Sequence, residues 1–166
     1  MTTIRLATSA DLPAINAIYN HYVLHWTSTY QTEPSTPDER SAWFEAHGTQ
    51  HPVTVAERDG AIVAWGSLSR FHPRAAYSHT VENSVYVRDD CRRQGLGALV
   101  LKDLIERAQA LKHHVIIAGI SADQAASIAL HSRHGFVECG RLKEVGYKFD
   151  RWLDVVYMQL TLETRV

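Results

Sequence analysis

Two glycines and two arginines in a short span set the chemistry this chain can do. In Val85-Tyr86-Val87-Arg88-Asp89-Asp90-Cys91-Arg92-Arg93-Gln94-Gly95-Leu96-Gly97, an apolar strand-like run gives way to a polar turn and then to a glycine-rich loop. A helix opening at such a loop presents unpaired N–H groups and the positive end of its dipole, a ready place for phosphate. Gly95 and Gly97 let backbone approach an anion closely, and Arg92 and Arg93 add charge beside it. The spacing is neither a Walker A loop, since no Gly-Lys-Ser/Thr follows, nor the Gly-x-Gly-x-x-Gly dinucleotide pattern. Three residues before this run stands Glu82, a carboxylate among Val81, Val85 and Val87. Such a group is costly there unless it is paired or used, and desolvation raises its pKa toward a useful range for a base. Its other reading is a Glu that faces solvent or pairs with an arginine. His131 is the second titratable candidate, because imidazole exchanges protons near neutral pH.

The elements that must position these groups are legible in outline. Thr3 to Ala7 reads as a first strand. Ser9 can cap a helix with Pro13 in its first turn and Leu12, Ile15, Ile18, Tyr19 and Tyr22 at helical spacing. Thr36-Pro37-Asp38-Glu39 is a stronger helix start, with Trp43 and Phe44 on the apolar face. Asp59-Gly60 joins Val53–Arg58 and Ile62–Arg70 as a hairpin. Thr80–Val87 is a long β-branched strand, and Leu96–Leu111 an amphipathic helix with Leu96, Leu99, Val100, Leu104 and Ala108 inward. Val115–Ile120 is a buried strand, Gln124–His134 a helix ended near Gly135, and Val137–Arg141 and Trp152–Leu162 complete a sheet. The order is that of a mixed α/β protein. His113-His114 reads as a partly exposed strand entrance.

Composition narrows the function class. The 166 residues fit one domain, residues 1–166, and 45% hydrophobic with 21% charged residues is an ordinary globular balance. A formal net charge of −1 gives no electrostatic case for nucleic acid or an anionic membrane. Basic residues cluster only at Arg88, Arg92 and Arg93, which suits a small anionic ligand. No apolar run nears the roughly 20 residues that span a bilayer, and the first residues lack a signal-peptide pattern. Cys91 and Cys139 suggest neither a disulfide framework nor a four-ligand metal site, and the ten histidines contain no His-Glu-x-x-His, so no metal is expected. The expectation is a cytoplasmic protein with reduced thiols.

The loop resembles the pyrophosphate loop of the GNAT superfamily of acetyl-CoA-dependent N-acetyltransferases. Thr80-Val81-Glu82-Asn83-Ser84-Val85-Tyr86-Val87, Asp123 to Phe136, Gly146-Tyr147-Lys148 and Trp152-Leu153-Asp154-Val155 together resemble its phosphinothricin and methionine sulfoximine branch, from about Ile4 to Leu162. That resemblance implies a mixed, mostly antiparallel central sheet flanked by helices, with acetyl-CoA between splayed central strands, here Val81–Val87 and Val115–Ile120. It implies that Arg92, Arg93, Gln94, Gly95, Leu96, Gly97 and Ala98 hold the pyrophosphate, and that Val85, Tyr86 and Val87 meet the pantetheine arm. An N–H near Val85 faces the thioester oxygen. Glu82 matches the branch's general base, acting directly or through a water. His131 stands four residues before Gly135-Phe136, where most of the superfamily has the Tyr that protonates the leaving thiolate. It serves as that acid, or orients the cofactor sulfur or the substrate.

Gln124 replaces the Asn of many relatives near the pantetheine, and Ser127 adds a polar contact on the same helical face. For the acceptor, Tyr30 and the segment Phe71 to Tyr77 are expected to shape the pocket. There His72, Pro73, Arg74 and Tyr77 meet the carboxylate and the sulfoximine, sulfone or phosphinate oxygens. The other reading of Arg74 is a solvated loop charge. Gln31 stands where phosphinothricin-accepting relatives carry Arg, which bears on affinity for a doubly anionic acceptor. The implied activity is acetylation of a small amino acid's α-amine, and with it resistance to herbicide- or antibiotic-like amino acids. The alternatives are a GNAT enzyme for another amine (an ordinary amino acid, a polyamine, a peptide N-terminus) or a catalytically silent acetyl-CoA-binding regulator. The expected partners are a small-molecule amine and a second copy of the chain, paired through Val155 to Leu162.

Overall fold

The computed structural model describes residues 1–163. Seven strands form one sheet: β1 (Thr2–Leu6), β2 (Val53–Arg58), β3 (Ala61–Arg70), β4 (Thr80–Val87), β5 (Val115–Ser121), β6 (Val137–Lys148) and β7 (Arg151–Thr161). Their order across the sheet is β1-β2-β3-β4-β5-β7-β6, and every neighbouring pair is antiparallel except β4–β5. Four helices cover it: α1 (Leu12–His25), α2 (Pro37–Glu45), α3 (Leu96–Ala110) and α4 (Ala125–Arg133).

The capping signals explain where the helices begin. Thr36 accepts from the Glu39 N–H while the Glu39 carboxylate accepts from the Thr36 N–H, and Pro37 fills the first helical position of α2. At the start of α1, Thr8 rather than Ser9 precedes a short 3-10 turn, and its N–H donates to Asp11 Oδ2 at 2.8 Å. Arg5 clamps the same carboxylate from β1 and holds it down to a pKa of about 2.

The sheet buries a core on each face. Leu12, Ile15, Ile18 and Tyr22 of α1 pack with Val53, Val55 and Trp65 on one side. On the other, Leu96, Val100, Leu101, Leu104 and Ala108 of α3 meet Ala56, Leu68, Val81 and Ile116. Leu101 is buried and Leu99 exposed, the reverse of the sequence expectation for Leu99. His113, expected to be partly exposed, is buried and bonded at Nε2 to the Gln50 carbonyl.

Strand β6 runs on to Lys148, well past Arg141. Two register shifts, at Glu138/Gly140 and Leu142/Gly146, let it follow β7 over its whole length. Its far end docks on the segment after α1. There the ammonium of the buried Lys148 donates to the carbonyls of Trp26 (2.7 Å) and Thr29 (2.8 Å). The Tyr30 ring covers Gly146 so closely that a Cβ there would lie 2.5 Å from Tyr30 Cε2.

Candidate active site

The one parallel pair in the sheet is also its shortest ladder. β4 and β5 pair only from Thr80↔Val115 to Glu82↔Ile117, and beyond that point both strands continue but part. Backbone groups on that edge of β4 past Glu82 therefore have no β5 partner, and a cleft opens. It encloses about 290 Å³ and is lined by Glu82 to Tyr86 from β4, Ala118 to Ser121 from β5, Thr27 to Tyr30, Gln124, Ser127 and His131.

Glu82 lies at the apex of the opening, half-buried. Among the described residues no hydrogen-bond donor or cation meets its carboxylate, and burial alone pushes the carboxyl above the usual carboxylate range. Gly119 makes room for it: a Cβ there would lie 3.6 Å from Glu82 Oε1 and 3.3 Å from the Tyr157 ring.

His131 sits on the opposite wall, buried, with Nδ1 2.8 Å from the Ser127 carbonyl and Nε2 2.9 Å from Asn83 Nδ2. A carbonyl cannot donate, so Nδ1 carries the proton and Nε2 accepts from the Asn83 amide. Burial lowers the imidazole's affinity for a second proton. In this arrangement Nε2 has no proton to give, which fits orientation better than acid duty. Asn83 Oδ1 is buried without a partner. Turning that amide over would offer the oxygen to an Nε2–H, so the pair can accommodate an imidazolium as well.

The glycine-rich loop is built as an anion cradle. Arg93 (φ 60°) and Gly95 (φ 79°) are both left-handed, and Gly95 caps α3. Alternation of this kind turns successive N–H groups to one side. Among the described residues nothing accepts from the N–H groups of residues 93–98, and the first helical bond comes from Leu99 to the Gly95 carbonyl. A Cβ on Gly97 would stand 3.3 Å from Leu130 Cδ2, so Gly97 lets α3 approach α4. Arg92 lies with its guanidinium carbon 4.1 Å from the Trp26 ring centroid, Gln94 accepts from Arg58, and Arg93 is exposed. Residues 93–98 thus present the donor set a diphosphate requires.

Several expected contacts go elsewhere. Gln124 donates to Thr27 Oγ1 at 2.8 Å and accepts from Ser28, so its amide fastens the segment after α1. The Tyr30 hydroxyl lies 2.8 Å from the Asp154 carbonyl and 2.9 Å from Ser121 Oγ, occupied by structure although the ring lines the cleft. The Tyr86 ring turns away into a cluster, stacked on Trp65 at 4.9 Å, leaving its backbone at the cleft. His72, Pro73, Arg74 and Tyr77 line a separate depression of about 490 Å³ with Gln50, His51 and His113, and share no cavity with Glu82. They belong to the connection between β3 and β4, beyond the ends of two central strands, and Arg74 and Tyr77 are exposed. Sequence reading passed over Asn83, Ser84, Ser121 and Tyr157, which also line the cleft. Alternation along β4 was the available signal for Ser84.

A mixed sheet with one splayed parallel pair and a glycine-rich loop beside it is the fold of solved acetyltransferases. Residues 4–157 match the family model described as Acetyltransferase (GNAT) domain, and the chain belongs to that family of acetyltransferases. It is 45% identical over 163 residues to the L-methionine sulfoximine/L-methionine sulfone acetyltransferase of Pseudomonas paraeruginosa, covering 97% of this chain and 95% of that one. To the phosphinothricin N-acetyltransferase of Alcaligenes faecalis it is 39% identical, over 96% of this chain and 82% of that one. The solved structure of a GNAT superfamily phosphinothricin acetyltransferase from Sinorhizobium meliloti, in complex with acetyl-CoA, superposes with a TM-score of 0.94 at 37% identity, covering 97% and 88% of the two chains.

Proposed function

We propose that this enzyme transfers the acetyl group of acetyl-CoA to the α-amine of a small amino acid of the methionine sulfoximine, methionine sulfone or phosphinothricin kind. One observation carries the reading: an unpaired, half-buried carboxylate stands where β4 and β5 part, in the cleft that His131 also lines. Residues 93–98 hold the donor's diphosphate by their N–H groups, with Arg92 and Arg93 adding charge. The edge of β4 at Val85 to Val87, which β5 leaves and where the Val87 carbonyl already accepts from the Tyr22 hydroxyl, receives the amides of the pantetheine arm. Acetyl-CoA supplies the acyl group as an activated thioester. Glu82 takes a proton from the acceptor's ammonium, directly or through one water, so that the amine is free to attack. The N–H near Val85 would stabilise the developing oxyanion, and as the C–S bond breaks coenzyme A would leave as its thiolate and take up a proton. His131, held in one tautomer by Ser127 and Asn83, orients the reacting groups.

The names of the two relatives support this acceptor class, as does an acceptor space lined by four serines and Arg40, where the one carboxylate, Glu39, is engaged by the Thr36 N–H. The protein works in the cytoplasm, as a homodimer, and its action confers resistance to toxic amino acids of this kind. A thiol-release assay with acetyl-CoA and a panel of amino acids, amines and peptides tests the proposal. Turnover is expected with L-methionine sulfone or sulfoximine, and turnover confined to polyamines or peptides overturns it.

A further inference from the structure

Arg40 is the most buried arginine described, 4% exposed, and among the described residues no carboxylate pairs with it. It lies on α2, and its side chain makes one hydrogen bond, from Nε to Asn16 Oδ1 at 3.1 Å. Aromatic rings hold the cation in place of an anion. The guanidinium carbon lies 4.5 Å from the Tyr19 ring centroid, 4.6 Å from Trp43 and 5.8 Å from Trp65. Ring faces ease the burial of a cation but accept none of its remaining N–H groups in the bidentate manner guanidinium favours. Its terminal N–H groups are not sealed off without a partner but open onto the space that Arg40 lines.

Arg40 lines, with Glu39, a cavity of about 380 Å³ that borders the Glu82 cleft, Ser84 and Tyr86 standing on the wall of both. The register explains why the two adjoin. Glu82 pairs with Ser69, Ser84 with Ser67 and Tyr86 with Trp65, and directly paired residues share a face. One stripe on the α1/α2 face thus runs from the carboxylate, across serine hydroxyls, to the aromatic rings beneath Arg40. A small molecule whose amine meets Glu82 extends along this stripe.

Resting on the acceptor class proposed above, we infer that Arg40 binds the acceptor's carboxylate. The site selects α-amino acids over plain amines: Glu82 takes the amine's proton at one end, and the guanidinium pairs with the acid group at the other. This is the anion-reading charge that the sequence suggested at Arg74, here supplied from α2.

The test compares L-methionine sulfone with its decarboxylated counterpart, 3-(methylsulfonyl)propylamine, as acceptors for wild type, Arg40→Met and Arg40→Lys. For wild type, removal of the carboxylate is expected to lower kcat/KM by about 100-fold or more. For Arg40→Met the preference collapses to within about 5-fold, chiefly because the amino acid becomes poorer, and Arg40→Lys falls between. Arg40→Met is expected to bind acetyl-CoA as wild type does, which separates a lost acceptor contact from a lost fold. Should it fail to fold, the Lys variant reads the same ratio. Quenching of Trp43 and Trp65 fluorescence by L-methionine sulfone gives binding without turnover, and it is expected to weaken in step. A wild-type preference retained in Arg40→Met and Arg40→Lys overturns the inference alone. Turnover of neither compound by wild type removes the acceptor class, and the inference with it.

Discussion

Glu82 carries the heaviest electrostatic burden of any carboxylate near the cleft, with no partner to offset its burial. Glu82→Gln is therefore expected to lower the acetylation rate by about 100- to 10,000-fold while leaving acetyl-CoA affinity within a factor of about two. The raised pKa fixes the sign of the pH dependence. A base works deprotonated, so the acidic limb of wild-type kcat/KM lies above the ordinary carboxylate value of about 4.3, and it vanishes in the variant. Stability moves oppositely. The folded carboxyl holds its proton more tightly than the unfolded one, so this residue's contribution is lost as pH rises from about 4.3 through the folded value. Glu82→Gln removes that loss, and its melting temperature at neutral pH should exceed that of wild type. A variant that is equally active and less stable would discard Glu82 as the base. His131 shows the opposite linkage. Its folded pKa is depressed by burial, so its contribution is present above about 6.5 and lost as pH falls below it. Thermal melts between pH 7 and 5 should fall less steeply for His131→Gln than for wild type. His47 and His51 share the sign and leave a residual slope in the variant.

Among the elements, those with a local chemical cause could be read from the chain. Asp59-Gly60 marked the hairpin, Thr36-Pro37-Glu39 the start of α2, and Gly95 the entry into α3, because each residue type is demanded by the backbone there. Strand β6 was read short for a physical reason. It is an edge strand, exposed over most of its length and bulged twice, so it lacks the alternation that one buried face imposes. Arg40 was hidden likewise: one charge in an amphipathic helix reads as a solvated face, and only tertiary packing shows the rings around it. Tyr30 lines the cleft, and its ring is also the buttress that meets β6 at Gly146. This makes Gly146→Ala informative. A Cβ 2.5 Å from the ring must displace Tyr30 or the strand, an overpacking cost of about 1–3 kcal/mol. Urea unfolding should show that loss, and combining it with Tyr30→Ala should give much less than the sum of the two single effects. Additive losses would mean that the two residues do not meet.

On the scale of the whole molecule, the sheet order decides where a second copy can sit. The pairing surface expected at Val155 to Leu162 belongs to β7, which lies between β5 and β6 with Val156, Met158 and Leu162 buried in the core. The apolar surface left open is one strand further out. Val137, Leu142, Val145 and Tyr147 of β6, with Phe149 and Trp152 at its turn into β7, are 47–66% exposed. Beyond them lies the unpaired edge of a 12-residue strand. An edge that long with this much apolar surface invites association unless it is covered, even though Glu138, Arg141, Lys143 and Glu144 set charge along it. The homodimer proposed above is therefore expected to pair through β6 and its hairpin. Sedimentation should give twice the chain mass of 18.7 kDa at micromolar concentration, and Val145→Glu with Trp152→Glu should reduce it to the monomer. Because the glycine-rich loop follows β4, from which β5 and β7 separate this edge, the monomer should bind acetyl-CoA with wild-type affinity. A wild type that sediments as a monomer, or a dimer indifferent to both substitutions, would move the interface off β6.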